Sequence, residues 1–299
     1  MGLGGGATSD ASNPLTFVKN LVLGGTSGCL AKTLCAPLER VKIVLQTAKA
    51  GGESGMVATG RSIVADQGFA ALWRGNLTNC ARYFPTQAIN FACKERYQQA
   101  LVPDRETAGF ARWFAGYLAA GGAAGATSLT VVYPLEFSYT RLAADVGKVK
   151  QFPGGLPDVI KTIAAKDGVA GLYRGYPTSV AGIIVYRAGY FGFYDAGKMV
   201  FFKDGGANTS IFLKFGLAMC VDISAAVFAY PIDTVRRRLM MQSGSGADMQ
   251  FTSASSAVAH IYKHEGAGGF FRGCMANNVR AIASALVLVL YDEAKKYTA

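Results

Sequence analysis

The chain has 299 residues, of which 51% are apolar and 16% charged, and 30 Lys and Arg against 19 Asp and Glu give a net charge of +11. Charged residues make up about 25% of an ordinary globular protein, so this composition excludes disorder and disfavours two soluble domains. Six Cys without a CxxC pair exclude a disulfide scaffold and are expected as small buried hydrophobes in a reducing setting. The positive balance points to a phosphate-bearing partner, and because Lys and Arg are scattered between apolar stretches, an anionic lipid or solute fits better than nucleic acid.

In chain order, residues 1–13 form a polar, Gly-rich flexible tail without a secretory signal or an Arg-rich presequence. Gly2–Gly6 is not a phosphate loop, because no Gly-Lys-Ser/Thr follows. Beyond the tail, one stretch reads cleanly as a membrane span, the charge-free segment Trp113–Leu135. Lys19 and Lys32 interrupt the first apolar stretch, Arg187 the fourth, and Lys214 and Asp222 the fifth.

The interruptions are organised by an internal repeat. Pro37-Leu38-Glu39, Pro134-Leu135-Glu136 and Pro231-Ile232-Asp233 are spaced 97 and 97 residues apart. Gly24 and Gly28 precede the first Pro at the offsets at which Gly121 and Gly125 precede the second and Ala218 and Asp222 the third. Downstream recur Trp73-Arg74-Gly75, Tyr173-Arg174-Gly175 and Phe271-Arg272-Gly273, and then Lys94-Glu95, Tyr194-Asp195 and Tyr291-Asp292. Each repeat reads as a Pro-kinked long helix, a short amphipathic helix and a second long helix. Spans are expected over 14–46, 77–100, 109–145, 177–202, 209–242 and 276–297, in repeats covering 14–100, 109–202 and 209–297. An even number of spans puts both termini on one side. The fold class is all-α: six transmembrane helices in three pseudo-symmetric repeats around a central axis.

The repeats also locate a candidate site. Taking Gly75, Gly175 and Gly273 as the reference Gly of each repeat, seven residues on lie Arg82, Gly182 and Arg280, two guanidiniums and a gap expected at one depth. Lys32 adds a cation where the other repeats have Leu129 and Ala226. Symmetric residues should serve machinery common to the repeats, and asymmetric ones a ligand without threefold symmetry. Arg suits phosphate through its planar fork of donors, and three unneutralised cations at mid-depth would be costly without an anionic ligand. Tyr186, Tyr190 and Tyr194 share one helix face near Gly182 and Ile183, a slot and stacking surface for a flat group. Glu39 with Lys42, and Asp233 with Arg236, place acid and base three apart on helices that can exchange such pairs reversibly.

The triplicated Pro-x-acid-x-x-base and aromatic-Arg-Gly strings resemble those of the mitochondrial carrier family over about residues 15–297. Arg236-Arg237-Arg238-Leu239-Met240-Met241, Arg82-Tyr83-Phe84-Pro85-Thr86-Gln87-Ala88 and Tyr186-Arg187-Ala188-Gly189-Tyr190 resemble the adenine-nucleotide branch. The resemblance implies exchange of ADP for ATP across the inner mitochondrial membrane by a monomer, with both termini on the intermembrane-space side and the short helices in the matrix. It implies substrate contacts from Asn90, Lys94 and the Arg236–Met241 string, and a matrix gate in which each acid of Glu39, Glu136 and Asp233 meets a neighbouring helix's base, braced by Gln46. A cytoplasmic gate would use Glu95, Asp195 with Lys198, and Asp292 with Lys295. Cardiolipin is expected at Arg74-Gly75, Arg174-Gly175 and Arg272-Gly273.

The chain departs from this pattern. Tyr139 stands where the second matrix-gate base is expected, leaving Glu39 to a Tyr hydroxyl, and Gln98 replaces a cytoplasmic-gate base. Leu239 replaces a Met, and Asp222 on the small-residue face is expected to pair with an intramembrane cation or to titrate. The missing bases motivate an alternative, a non-transporting subunit of a respiratory or ATP-synthase assembly; another is a carrier of a different nucleotide. His260 and His264 have the spacing of a metal-binding helix face, but without a third ligand they read as a solvated one, so no metal or cofactor is expected. Without a nucleophile–base pair, the chain is not expected to be an enzyme.

Overall fold

In the computed structural model, residues 14–48, 55–201, 211–244 and 249–298 are described. The expected tail, 1–13, lies outside them. The described residues form long helices α1 (Pro14–Thr47), α3 (Asn76–Leu101), α4 (Arg105–Ala144), α6 (Tyr176–Phe201), α7 (Ile211–Gln242) and α9 (Cys274–Thr298). Shorter helices α2 (Met56–Gln67), α5 (Leu156–Leu172) and α8 (Ala254–Glu265) connect the long pairs. The long helices succeed one another around a ring that α9 closes against α1.

Two helical segments, Thr107–Ala144 and Phe215–Gln242, are long and apolar enough to span by composition alone. The others divide their polarity between faces. Large apolar side chains are exposed on the outside of every long helix, including Leu34, Leu77, Val131, Ile184, Phe228 and Leu286. Water would penalise so extensive a belt, whereas lipid accommodates it. The cysteines do not form one buried class: Cys35 is buried but Cys220 is exposed.

Small residues set the approach of paired helices. A Cβ on Gly28 of α1 would fall 2.6 Å from the Tyr83 ring of α3, and one on Gly125 of α4 would fall 3.1 Å from Ile183 of α6. At the end carrying the short helices, Gly75, Gly175 and Gly273 have φ of 86°, 85° and 79°. Each also abuts a carbonyl of the next repeat: a Cβ there would lie 3.4 Å from Tyr139 O, 3.1 Å from Arg236 O and 2.9 Å from Lys42 O, respectively. The aromatic-Arg-Gly string therefore needs Gly for both backbone conformation and close packing.

A ring of arginines interlocks the same end. Arg40 of α1 donates to Ala143 O of α4 (3.2 Å), Arg141 of α4 to Met241 O of α7 (2.9 Å), and Arg238 of α7 to Gln46 O of α1 (3.0 Å). Each caps carbonyls that a helix C-terminus leaves without intrahelical donors.

Candidate functional site

The long helices enclose a cavity of about 740 Å³, within the range of roughly 300–1,000 Å³ usual for small-molecule sites. Its floor is a set of ion pairs at the short-helix end. Lys42 Nζ lies 3.0 Å from Asp233 Oδ2, and Arg236 Nη2 lies 2.9 Å from Glu136 Oε1, so α1 is bound to α7 and α7 to α4. Gln46 Nε2 donates to the same Asp233 oxygen at 3.1 Å. Arg237 adds a contact to Asp233 at 3.4 Å and donates to Thr140 Oγ1 at 3.2 Å.

The third link of that ring differs. Glu39 Oε2 accepts from Asn79 Nδ2 at 3.0 Å, and no cation is in ion-pair contact with it among the described residues. The expected Tyr139 donor is thus replaced in these contacts by Asn79, on α3 of the same repeat. Tyr139 itself is buried, packed against Ile43 and Ala143.

Above the floor, Arg82 and Arg280 line the cavity with Gly182, Ile183, Tyr186 and Asn90. Arg82 is not an unneutralised cation: its Nη1 lies 2.6 Å from Glu136 Oε2, and its Nη2 donates to Asn79 Oδ1 at 2.9 Å. Glu136 therefore serves the floor and the cavity wall together. Arg280 donates to Asn277 Oδ1 at 3.4 Å, and Lys32 to Asn79 Oδ1 at 3.5 Å, with its Nζ 5.4 Å from the Tyr83 ring centroid. Arg82 Nε, Arg236 Nε and Asn90 Oδ1 are buried without hydrogen-bond partners in the protein.

A second cavity of about 270 Å³ lies alongside, lined by Lys94, Gln98, Asn90 and Arg187. Arg187 lines both cavities, although the sequence reading gives it no site role beyond its place in the Tyr186–Tyr190 string and as a break in an apolar stretch. Asn79, Ser179 and Asn277 also escape the sequence reading. Each lies four residues after its reference Gly, so the same repeat comparison marks them.

The Arg236–Met241 string separates by role. Arg236 lines the cavity. Arg238 turns away to Gln46 O and to Glu265 on α8, while Leu239, Met240 and Met241 pack in apolar clusters. Successive helix residues point about 100° apart, so a six-residue string cannot present every member to one cavity. Asp222 accepts a hydrogen bond from the Tyr186 hydroxyl, and no cation is in ion-pair contact with it among the described residues.

Arg74 is ion-paired with Asp145, Arg174 lies 3.8 Å from Asp167, and Arg272 lies 3.2 Å from Glu265. These guanidiniums hold the short helices and loops. Of the expected cytoplasmic gate, Glu95 is exposed. The side chains of Asp195, Lys198, Asp292 and Lys295 lie outside those described.

The model of mitochondrial carrier proteins matches residues 13–105, 111–205 and 207–299. The chain belongs to the mitochondrial carrier protein family. It is 46% identical over 297 residues to a protein named ADP/ATP translocase 2 from Tachyglossus aculeatus aculeatus, covering 95% of this chain and 98% of that one. It is 47% identical over 299 residues to human ADP/ATP translocase 4, with coverage of 96% and 93%. Human ADP/ATP translocase 3 is 47% identical over 295 residues, with coverage of 94% and 98%. This mitochondrial carrier repeats its helix pair three times, and cavity-lining residues such as Arg82, Gly182 and Arg280 break the threefold pattern.

Proposed function

We propose that this protein is an antiporter of the inner mitochondrial membrane that exchanges ADP for ATP by alternating access. The carrying observation is the cavity lined by Arg82 and Arg280, with Gly182 at the third equivalent position of the repeat. Two guanidiniums suit the phosphates, and the gap beside Ile183 and Tyr186 suits the base. The names of relatives at 46–47% identity support the same substrates.

The Lys42–Asp233 and Arg236–Glu136 pairs are the closed matrix gate in this reading. An anionic substrate at Arg82 competes with Glu136 for that guanidinium, and Glu136 is also the partner of Arg236. Substrate binding is thereby coupled to the gate through one carboxylate. The pairs re-form after release, and the ligand offsets the cost of the transition through its differential affinity for the two states. Both termini face the intermembrane space, and anionic lipid such as cardiolipin meets the helix N-termini on the matrix side.

The test is uptake of labelled ADP into proteoliposomes loaded with ATP or left empty. The expected result is uptake that requires internal nucleotide and is lost in Arg280→Ala, with that variant's melting temperature close to the parent's. Arg280 suits this test better than Arg82, whose removal would also take from Glu136 one of its two guanidinium partners. Equal uptake by loaded and empty vesicles, or by parent and variant, would refute the proposal.

A further inference from the structure

The third repeat inverts a packing rule of the other two. Gly28 and Gly125 are covered by Tyr83 and Ile183, each eight residues after its reference Gly. The equivalent pair in repeat three is Asp222 and Ala281. The bulk thus sits on α7 and the small residue on α9, and both line the central cavity. The Tyr186 hydroxyl donates to Asp222 Oδ1. A Tyr hydroxyl has one proton, so the Asp222–Tyr186 pair offers the cavity hydrogen-bond acceptors.

The position matters as much as the chemistry. Asp222 is four residues from Ala226, the equivalent of Lys32, on the side away from the ion-paired floor. Four helical residues rise about 6 Å. A fixed carboxylate there disfavours phosphate, whereas Arg82, Arg236 and Arg280 attract it. Arg187 also lines the cavity, but its guanidinium packs against Gly121 of α4, so Arg82, Arg236 and Arg280 outnumber it and favour a nucleotide with its phosphates toward them and its base toward Tyr186 and Asp222.

Resting on the reading of this cavity as a nucleotide site, we infer that Asp222 is a specificity-determining residue that accepts a hydrogen bond from the exocyclic amino group of the base. Tyr186 holds the carboxylate in place. The site therefore favours amino-bearing bases and rejects hypoxanthine, whose O6 would face the carboxylate acceptor to acceptor. Sites built around a substrate N–H discriminate strongly against analogues that lack it.

The experiment compares ADP, inosine diphosphate and purine riboside diphosphate as external substrates for ATP-loaded proteoliposomes, in the parent, Asp222→Asn and Asp222→Thr. In the parent, ADP should exceed both analogues by at least about tenfold in relative uptake efficiency. Asp222→Asn, whose amide can keep its oxygen toward Tyr186 and present N–H to the base, should collapse or reverse the preference over inosine diphosphate. A merely structural Asp222 would lower all three substrates together. Parent protein that takes up ADP and purine riboside diphosphate equally overturns the inference without recourse to any variant. So do folded variants that keep the parent's ratios. Parent protein that exchanges none of the three removes the nucleotide reading itself, and the inference with it.

Discussion

At the scale of single residues, the gate is uneven. Glu136 meets two guanidiniums, Arg82 at 2.6 Å and Arg236 at 2.9 Å, and is buried. Glu39 has the amide of Asn79 instead. Removing one partner of a buried ionic group costs about 3–5 kcal/mol, because it strands the opposite charge. Replacing a carboxylate that accepts from a neutral amide by its isosteric amide costs closer to the ordinary hydrogen-bond range of about 0.5–1.5 kcal/mol. Glu136→Gln should therefore lower the melting temperature in detergent much more than Glu39→Gln. Equal losses would show that Glu39 holds the closed state as firmly as Glu136 does. Tyr139 accounts for the difference: Lys42 and Arg236 occupy the corresponding positions of the other repeats and both make the inter-helix pair.

At the scale of elements, the short-helix end is held by contacts that pass from each repeat to the next. Gly273 and Gly175 combine positive φ with approach to a neighbouring carbonyl, whereas Gly68, at φ 84°, has open space around a would-be Cβ. Gly68 pairs that φ with a ψ of 167°, a region essentially reserved to Gly that costs an L-residue about 1–3 kcal/mol. Alanine at Gly68 should cost about that much, and alanine at Gly175 or Gly273 more, with thermal stability falling furthest for Gly273. A larger loss at Gly68 would contradict the inter-repeat contact as the reason for these glycines. Arg238, Glu265 and Arg272 form a second link, from α7 through α8 to the turn that precedes α9. Burial raises the Glu265 carboxyl, but the Arg238 hydrogen bond and the charges of Arg238 and Arg272 outweigh it and hold the group below its ordinary value of 4.5. A depressed native value stabilises the fold above the unfolded value and loses that contribution as pH falls through the native one. The melting-temperature gap between the parent and Glu265→Gln should accordingly be full at neutral pH and shrink below about pH 4.5. A gap constant into that range would rule out the ionised carboxylate as its origin.

At the scale of the whole molecule, the helix pairs were legible because one period repeats three strings, and two of them have a physical cause that the fold displays: a Pro within the helix followed by an acid of the ion-paired floor in repeats two and three, and a Gly against a carbonyl. The inter-helix partners were less legible. Arg40, Arg141 and Arg238 make equivalent contacts from positions that are not equivalent in the repeats, three residues after the Pro in the first and seven in the others. Asp145 and Glu265 lie in or next to the short-helix segments, where sequence spacing carries no contact information. The molecule's asymmetry, in contrast, was visible as departures from the repeat, and it bears on the proposed exchange as a whole. One cavity handling ADP and ATP in turn returns through the membrane field with different total charge, because its fixed charges are the same on both legs. If ATP carries one more negative charge, each 1:1 cycle moves one net charge, worth about 2.3 kcal/mol per 100 mV. At about 1.4 kcal/mol per tenfold, that is a bias of roughly fiftyfold in the exchange equilibrium at 100 mV. A potassium diffusion potential set with valinomycin, negative inside, should therefore drive ATP out and ADP in. Reversing the gradient should reverse the preference, while ADP-for-ADP exchange should generate no net current. Hetero-exchange ratios indifferent to the potential would mean that a compensating ion crosses with the nucleotide, and the cationic cavity would then be only part of the transported charge balance.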